Sequence, residues 1–370
     1  MTQQKNTRLY SLDALRGFDM LFIMGFSGFV IALCGLSDSA FAGWLAEQMR
    51  HVAWNGLTHH DTIFPLFLFL AGVSYPFSLA AQRAKGVTSW QIHRKILTRA
   101  LALIVLGVVY NGLFKFDFEN LRIASVLGRI GIAWAVAALL YVHFGVKTRV
   151  VVAVTILLGY WGLSTIVAPD AVAGADPLSK DGCLVGYIDR LLLPGRLIYG
   201  NFDPEGLLST LPAVVSAMLG NFAGEWVRQP QEKVSGNRKA ALMAVAGVVM
   251  AVVAWAWNFV LPTNKMLWSS SFVLAVGSYS LLMFALFYYI IDVRGWKRWT
   301  LFFRVIGLNS ITIYLAQKII DFKKIARFFL GGVADMCPED WSKVILAGGY
   351  VLACWLMLYF LYKKDTFLKV

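Results

Sequence analysis

The chain has 370 residues, 58% of them hydrophobic and only 15% charged, with a mean hydropathy of +0.64 and a formal net charge of +13. Soluble domains carry about a quarter charged residues, so a chain this apolar lacks the polar surface to stay dissolved in water. The positive charge does not point to nucleic acid, because no basic stripe with interleaved aromatics is present and excess Lys and Arg is usual in the cytoplasmic loops of membrane proteins.

The first sixteen residues are polar, with no small-residue cleavage site before the first apolar run. They do not read as a cleaved signal peptide, and the first span is expected to remain as its own anchor. Apolar blocks of membrane-spanning length then fall at 17–36, 61–82, 96–114, 123–143, 150–168, 207–227, 239–260, 267–291, 300–320 and 343–362. All are expected to be helices, because an open strand edge cannot be satisfied in lipid. The sequence therefore predicts an all-α, polytopic membrane protein of about ten transmembrane helices. With no internal repeat, Pro-rich linker or low-complexity tract, residues 1–370 are expected to form one transmembrane domain.

Orientation follows from the cations. Lys5, Arg8 and Arg16, then Arg83, Lys85, Arg94, Lys95 and Arg99, then Lys147 and Arg149 alternate with segments poorer in charge. Arg228, Lys233, Arg238 and Lys239, then Arg294, Lys297 and Arg298, and Lys363, Lys364 and Lys369 continue the series. This bias puts both termini in the cytoplasm. The outer side then receives three loops, 37–60, 169–206 and 321–342. The second is acidic, and the third contains an apolar stretch, IARFFLGGVA, that reads as an interfacial or re-entrant helix. Cys183 and Cys337 fall in outer loops, where a disulfide and a pair of free thiols are both compatible with the sequence. No Cys/His spacing suggests a zinc site.

Three groups of residues carry chemistry. The first loop ends in RHVAWNGLTHHDTIFPLFLF, which brings His51, His59, His60 and Asp61 to the outer surface. Histidine titrates near neutrality and suits general-base work, although loop histidines are often merely solvated. Asp61, opening the second span, interacts well with a helix N-terminus and also suits the role of orienting a catalytic His. Next, NFDPEGLLSTLP places Asp203 and Glu205 at the outer mouth of the sixth span. They read either as a helix start, with Asp203 as N-cap and Pro204 at the first helical position, or as a carboxylate pair for a cationic or polyhydroxylated ligand. Finally, Arg16, Arg99, Arg129 and Arg304 lie at the inner face or within spans, where a guanidinium is costly unless paired or functional.

The segments SLDALRGFDM (11–20), HVAWNGLTHHDTIFPLFLFLAG (51–72), LRIASVLGRIGIA (121–133), GYIDRLLLPG (186–195), DPEGLLST (203–210), NKMLWSSSFVL (264–274) and IIDVRG to LNSITIYL (290–315) match a known pattern in order. They resemble the catalytic membrane domain of heparan-α-glucosaminide N-acetyltransferase and its bacterial relatives. The resemblance implies an enzyme that takes acetyl-CoA from the cytoplasmic side and acetylates an amino sugar on the opposite side. It implies the bacterial cytoplasmic (inner) membrane for a chain of this type, no metal, and a homodimer. His51 inherits the role of the family's catalytic His, with Asn55 and Asp61 as neighbours. The family's supporting Asn aligns with Ser27 here, which leaves the partner of His51 open between Ser27 and Asn55. Arg16, Arg99 and Arg129, with Arg304 and Asn309, are candidates to hold the CoA phosphates, and Asp203 and Glu205 to hold the sugar. Two other readings stay open: an amino-sugar or N-acetylglucosamine transporter, and an O-acyltransferase modifying an envelope polysaccharide.

Overall fold

The structure is a computed structural model and describes residues 9–368. It is helical throughout; the described residues form only two isolated bridges, Arg122 with Gly195 and Val167 with Cys183. In chain order the helices are α1 (Tyr10–Leu21), α2 (Ser27–Cys34), α3 (Ala40–Gln48), α4 (His59–Ala84), α5 (Ser89–Tyr110), α6 (Val126–His143), α7 (Val146–Ser164) and α8 (Leu184–Leu192). They continue as α9 (Thr210–Arg228), α10 (Gly236–Trp257), α11 (Ser270–Phe287), α12 (Leu301–Leu308), α13 (Ser310–Ile319), α14 (Phe322–Asp335) and α15 (Glu339–Lys363).

Every apolar block read from the sequence falls mainly on these helices, with 17–36 shared by α1 and α2 and 300–320 by α12 and α13. By length and composition, seven spans among the described residues are long and apolar enough to cross a membrane, or eight if the pair α12–α13, bent by 57°, counts as one. The expected count of about ten is higher because it included α5 and α9. The first half of α5 carries Arg94, Lys95 and Arg99, and α9 carries Asn221 and Glu225 among small residues, so both are more polar than a lipid-facing helix. The apolar stretch at 325–334 is part of α14, a 14-residue helix too short to span. All four cysteines are free thiols, and the sulfur of Cys183 caps α8 by accepting the Gly186 N–H.

The described chain divides into two compact units. Unit 1 holds the residues up to Ala53, Leu57–Ile63 and those from Met283 on, whereas unit 2 holds Trp54–Gly56 and Phe64–Leu282. The divisions fall inside α4 and α11.

In unit 1 the first span is not one straight helix. At Gly25 the backbone turns to φ 110°, a left-handed conformation, and the chain makes a π-helical turn over Phe22–Phe26 before α2 begins. Only glycine fits there, because a Cβ would also strike the ring of Tyr350 at 2.6 Å. The break presents Ser27 at the start of α2. The N-terminus of α1 has no cap from its own sequence. Instead the Asp292 carboxylate accepts the N–H groups of Tyr10 and Ser11, each at 3.2 Å, which satisfies orphan donors across 282 residues of chain.

α1 and α12 pack with backbones in contact. A Cβ on Gly307 would lie 2.1 Å from the Asp13 carbonyl oxygen, and one on Gly17 would lie 1.7 Å from that of Phe303. Small residues at such crossings let membrane helices approach closely. Gly307→Ala is therefore expected to cost about 1–3 kcal/mol or more through overpacking, read as a lower melting temperature of the detergent-solubilised protein.

Unit 2 is built around α4, α5, α6 and α9. Thr88 starts α5 in a capping box with Gln91, and Ser125 caps α6. Gly220 and Gly224, four apart on α9, press against the backbone of Phe69 and Val73 on α4. The short turns α4–α5, α6–α7 and α9–α10 gather at one end. His93 and His143 meet there through their Nε2 atoms at 2.8 Å, and Arg149 pairs with Glu225 at 2.6 Å. That end holds the cations expected at an inner face, and the acidic segment 169–206 lies at the other.

Candidate active site

Asp61 sits in the first turn of α4 and is wholly buried. Its Oδ1 lies 2.6 Å from Nδ1 of His51. Its Oδ2 accepts the Thr58 hydroxyl at 2.9 Å and, at longer range, the N–H groups of Val52 and Thr58 at 3.3 and 3.4 Å. Thr58 is itself held in place, since its hydroxyl also approaches the Arg50 carbonyl at 2.6 Å. A buried carboxylate with this many donors is held in one orientation. It fixes the proton of His51 on Nδ1 and so leaves Nε2 as the basic nitrogen. The His51 side chain is 50% exposed.

The neighbouring histidines complete the cluster within unit 1. The His60 ring lies 4.4 Å from that of His51, and Nδ1 of His60 is 3.1 Å from the Ser27 hydroxyl. The position aligned with the family's supporting Asn thus contacts His60. His59 stacks edge-on against Phe22, and its N–H reaches the Gln48 side chain. Asn55 belongs to unit 2, where its amide oxygen accepts from Asn264 at 2.9 Å. Trp54 and Gly56 on either side are anchored to the Leu178 and Thr263 carbonyls.

A second polar cluster organises the acidic segment of unit 2. Arg122 forks onto Asp203, with Nε and Nη2 donating at 2.7 and 2.6 Å, and Nη2 also donates to Glu205. Burial alone would lower the arginine's pKa, but hydrogen bonds and charge attraction from these two carboxylates outweigh it and raise it. Asp203 is fully buried and also accepts the N–H groups of Ile198 and Glu205. It does not cap α9. That helix starts at Thr210, and residues 203–206 form a separate turn closed by the Gly206 N–H onto the Asp203 carbonyl. Beneath this turn Asp189 accepts the N–H groups of Leu207 and Asp203, with Gly206 packed so close that a Cβ would fall 1.9 Å from the carboxylate.

Burial pushes Asp189 up to about 6, even though both N–H bonds pull the other way. A carboxyl raised above its unfolded value of about 3.9 favours the fold most below that value, and this contribution is lost as pH rises to about 6. Thermal stability measured between pH 4 and pH 7 should fall over that window, and Asp189→Asn should flatten the slope.

Arg129 belongs with this second cluster. Its Nη2 donates to the Ser209 hydroxyl and, at 3.4 Å, to the Gly206 carbonyl, and its guanidinium lies 4.9 Å over the Trp268 ring. It therefore occupies the end of α6 next to the acidic segment, opposite the basic turns. The sequence places it at the inner face or within a span. The sequence alone does not say at which depth in a span a cation lies or which helix its side chain faces. Arg99 lies deeper in unit 2, 4.4 Å over the Trp134 ring. Arg16, Arg304 and Asn309 belong to unit 1. There Arg304 stacks 4.3 Å over Tyr10, and Asn309 is buried, with its amide donating to the Thr366 carbonyl.

Over 99% of its length the chain is 27% identical to heparan-alpha-glucosaminide N-acetyltransferase of Mus musculus, and over 98% it is 26% identical to the protein of that name of Homo sapiens. By sequence, the chain is similar to the heparan-alpha-glucosaminide N-acetyltransferases. It spans 62% and 60% of the length of these two relatives. No family model matches it. Beside this family's candidate His and Asp, the structure adds three groups that sequence reasoning passed over: Thr58, Arg122 and Asp292. Thr58 and Arg122 lie within matched segments, and Asp292 is the acid of IIDVRG.

Proposed function

We propose that this protein is a transmembrane N-acetyltransferase that moves an acetyl group from cytoplasmic acetyl-CoA to the amine of a glucosamine-type sugar on the periplasmic side of the bacterial inner membrane. The observation that carries this reading is the His51–Asp61 pair in a chain whose relatives bear that activity in their names. A sugar ammonium first loses a proton, which Nε2 of His51 accepts. The free amine attacks the thioester carbonyl, the C–N bond forms and the C–S bond breaks. The proton on His51 passes to the departing thiolate, and the second proton of the acylated nitrogen then returns to Nε2 and leaves to solvent, so that one proton is released per acetyl group transferred. Asp61 stabilises the imidazolium that forms between these steps. A pantetheine arm is long enough to carry the thioester through a narrow passage, so a ternary complex is favoured over an acetyl-His intermediate.

The charge layout agrees with the direction of transfer. Basic turns at one end of unit 2 suit an anionic donor, and the acidic segment at the other end attracts a cationic amino sugar. Both carboxylates pair with Arg122, but Asp203 is wholly buried and Glu205 is partly exposed, so Glu205 is the carboxylate we assign to the acceptor amine.

The experiment separates enzyme from transporter. Sealed vesicles receive labelled acetyl-CoA on the cytoplasmic face and glucosamine on the other. Acetylated sugar formed without net sugar movement supports the enzyme, whereas glucosamine uptake that needs no acetyl-CoA would overturn it.

A further inference from the structure

Between α9 and α10 of unit 2 lies a cavity of about 360 Å³. Ligand pockets begin at roughly 300 Å³, so the space is large enough for a bound group. Two helices joined by a short turn are expected to pack as antiparallel neighbours, yet few residues of α9 and α10 come together. They are tied at the turn, where the Lys239 ammonium donates to the Val227 and Gln229 carbonyls and Trp226 Nε1 donates to the Lys239 carbonyl at 3.3 Å. From there the cavity runs between Phe222 and Trp226 of α9 and Leu242, Ala246 and Met250 of α10, with Phe69 of α4 behind. At its far end Leu219 and Met250 close over Gly277, where a Cβ would fall 2.6 and 2.8 Å from their side chains.

The cavity opens sideways. Leu242 and Ala246 on its rim are exposed, and only 22% of the apolar stretch of α10 is buried in the protein, so the opening faces the bilayer. The lining side chains are apolar or aromatic, and the indole N–H among them is already satisfied by the Lys239 carbonyl. Water would find no hydrogen-bond partners there, and an empty void would forfeit the dispersion contacts of its walls. A hydrocarbon chain meets both conditions. The end of the cavity at the basic turns is different in kind. Arg238 precedes Leu242 by four residues, so it heads the same face of α10, and it is exposed. In the turn Glu232 and Lys233 offset one another, which leaves Arg238 in excess beside the anion-favouring N-terminus of α10.

We infer that this cavity is a phospholipid site: it holds one acyl chain of an anionic lipid from the leaflet at the basic end, with the lipid phosphate on Arg238. The dimensions agree. Leu242 and Met250 lie eight residues apart on α10, about 12 Å along the helix axis, and one leaflet contributes ~15 Å of hydrocarbon. A chain entering beside Leu242 therefore ends near the bilayer middle, where Leu219, Met250 and Gly277 close the cavity. Such a lipid would supply the packing between α9 and α10 that their own side chains leave incomplete.

The test is lipid binding to the purified whole chain in detergent, read by native mass spectrometry as phosphatidylglycerol or phosphatidylcholine is titrated in. The wild type should hold one phosphatidylglycerol about tenfold more tightly than phosphatidylcholine, the scale of one charge-assisted contact. Arg238→Ala alters an exposed side chain and should abolish that preference while phosphatidylcholine binding stays unchanged. Ala246→Phe fills the cavity from its exposed rim and should weaken both lipids at least tenfold; its melting temperature without lipid shows whether it folds. If it does not fold, the preference lost or kept in Arg238→Ala decides alone. Equal affinity of the wild type for the two lipids, a preference that survives Arg238→Ala, or wild-type binding in a folded Ala246→Phe overturns the site. So does a change of oligomeric state in Ala246→Phe with lipid binding intact, since the cavity would then receive a second copy of the chain.

Discussion

Asp61→Asn is expected to lower acetyl transfer roughly 10³–10⁴-fold, the scale seen when the carboxylate of a His–Asp pair becomes an amide. The substitution keeps the side chain's shape and its place in the first turn of α4. What changes is the partner of His51. An amide at 2.6 Å from Nδ1 can present its NH₂ and hold the imidazole in the wrong tautomer, with the proton on Nε2, where no base remains. An amide also cannot stabilise an imidazolium. Because the three donors on Oδ2 come from Val52 and Thr58, the loop should stay in place and donor binding should change little. Transfer rate and CoA affinity measured on the same preparation separate the two effects. Equal losses in both would mean that Asp61 is only a fold anchor.

Arg122→Ala is expected to be the most destabilising single change in the acidic segment, by about 3–5 kcal/mol. Asp203 is wholly buried, and Arg122 supplies its only side-chain donors among those identified. Removing the guanidinium leaves a carboxylate in a low-dielectric site with just two backbone N–H bonds. Arg122→Lys keeps the charge but loses the two-pronged fit, so its melting temperature should fall between those of the wild type and Arg122→Ala. The same loss should propagate to Glu205, which shares Nη2 of the arginine, and raise the KM for the amino sugar in any variant that still folds.

How much of this was legible in the sequence differs by residue. The helices were, because apolar runs of fixed length have one solution in lipid. The two expected spans that are less apolar than the rest are α5, with Arg94, Lys95 and Arg99, and α9, with Asn221 and Glu225. His51 and Asp61 were legible because they lie ten residues apart in one loop and helix start. The partner of Asp203 was not, since Arg122 is 81 residues away and reads in the sequence as one more loop cation. Nor was the role of Asp292, which caps a helix 282 residues earlier. The partner of His51 was open between Ser27 and Asn55; Ser27 contacts His60, because the break at Gly25 sets the direction of α2 and no local pattern reveals it.

The central claim is that His51 is the base for acetyl transfer. Its most direct test is the single-turnover rate from acetyl-CoA to glucosamine, compared between wild type and His51→Ala, with CoA affinity measured on both. The account predicts a rate lower by about 10²–10⁴-fold at unchanged CoA affinity, with no acetyl-protein intermediate trapped in the wild type. Wild-type turnover in His51→Ala would contradict it.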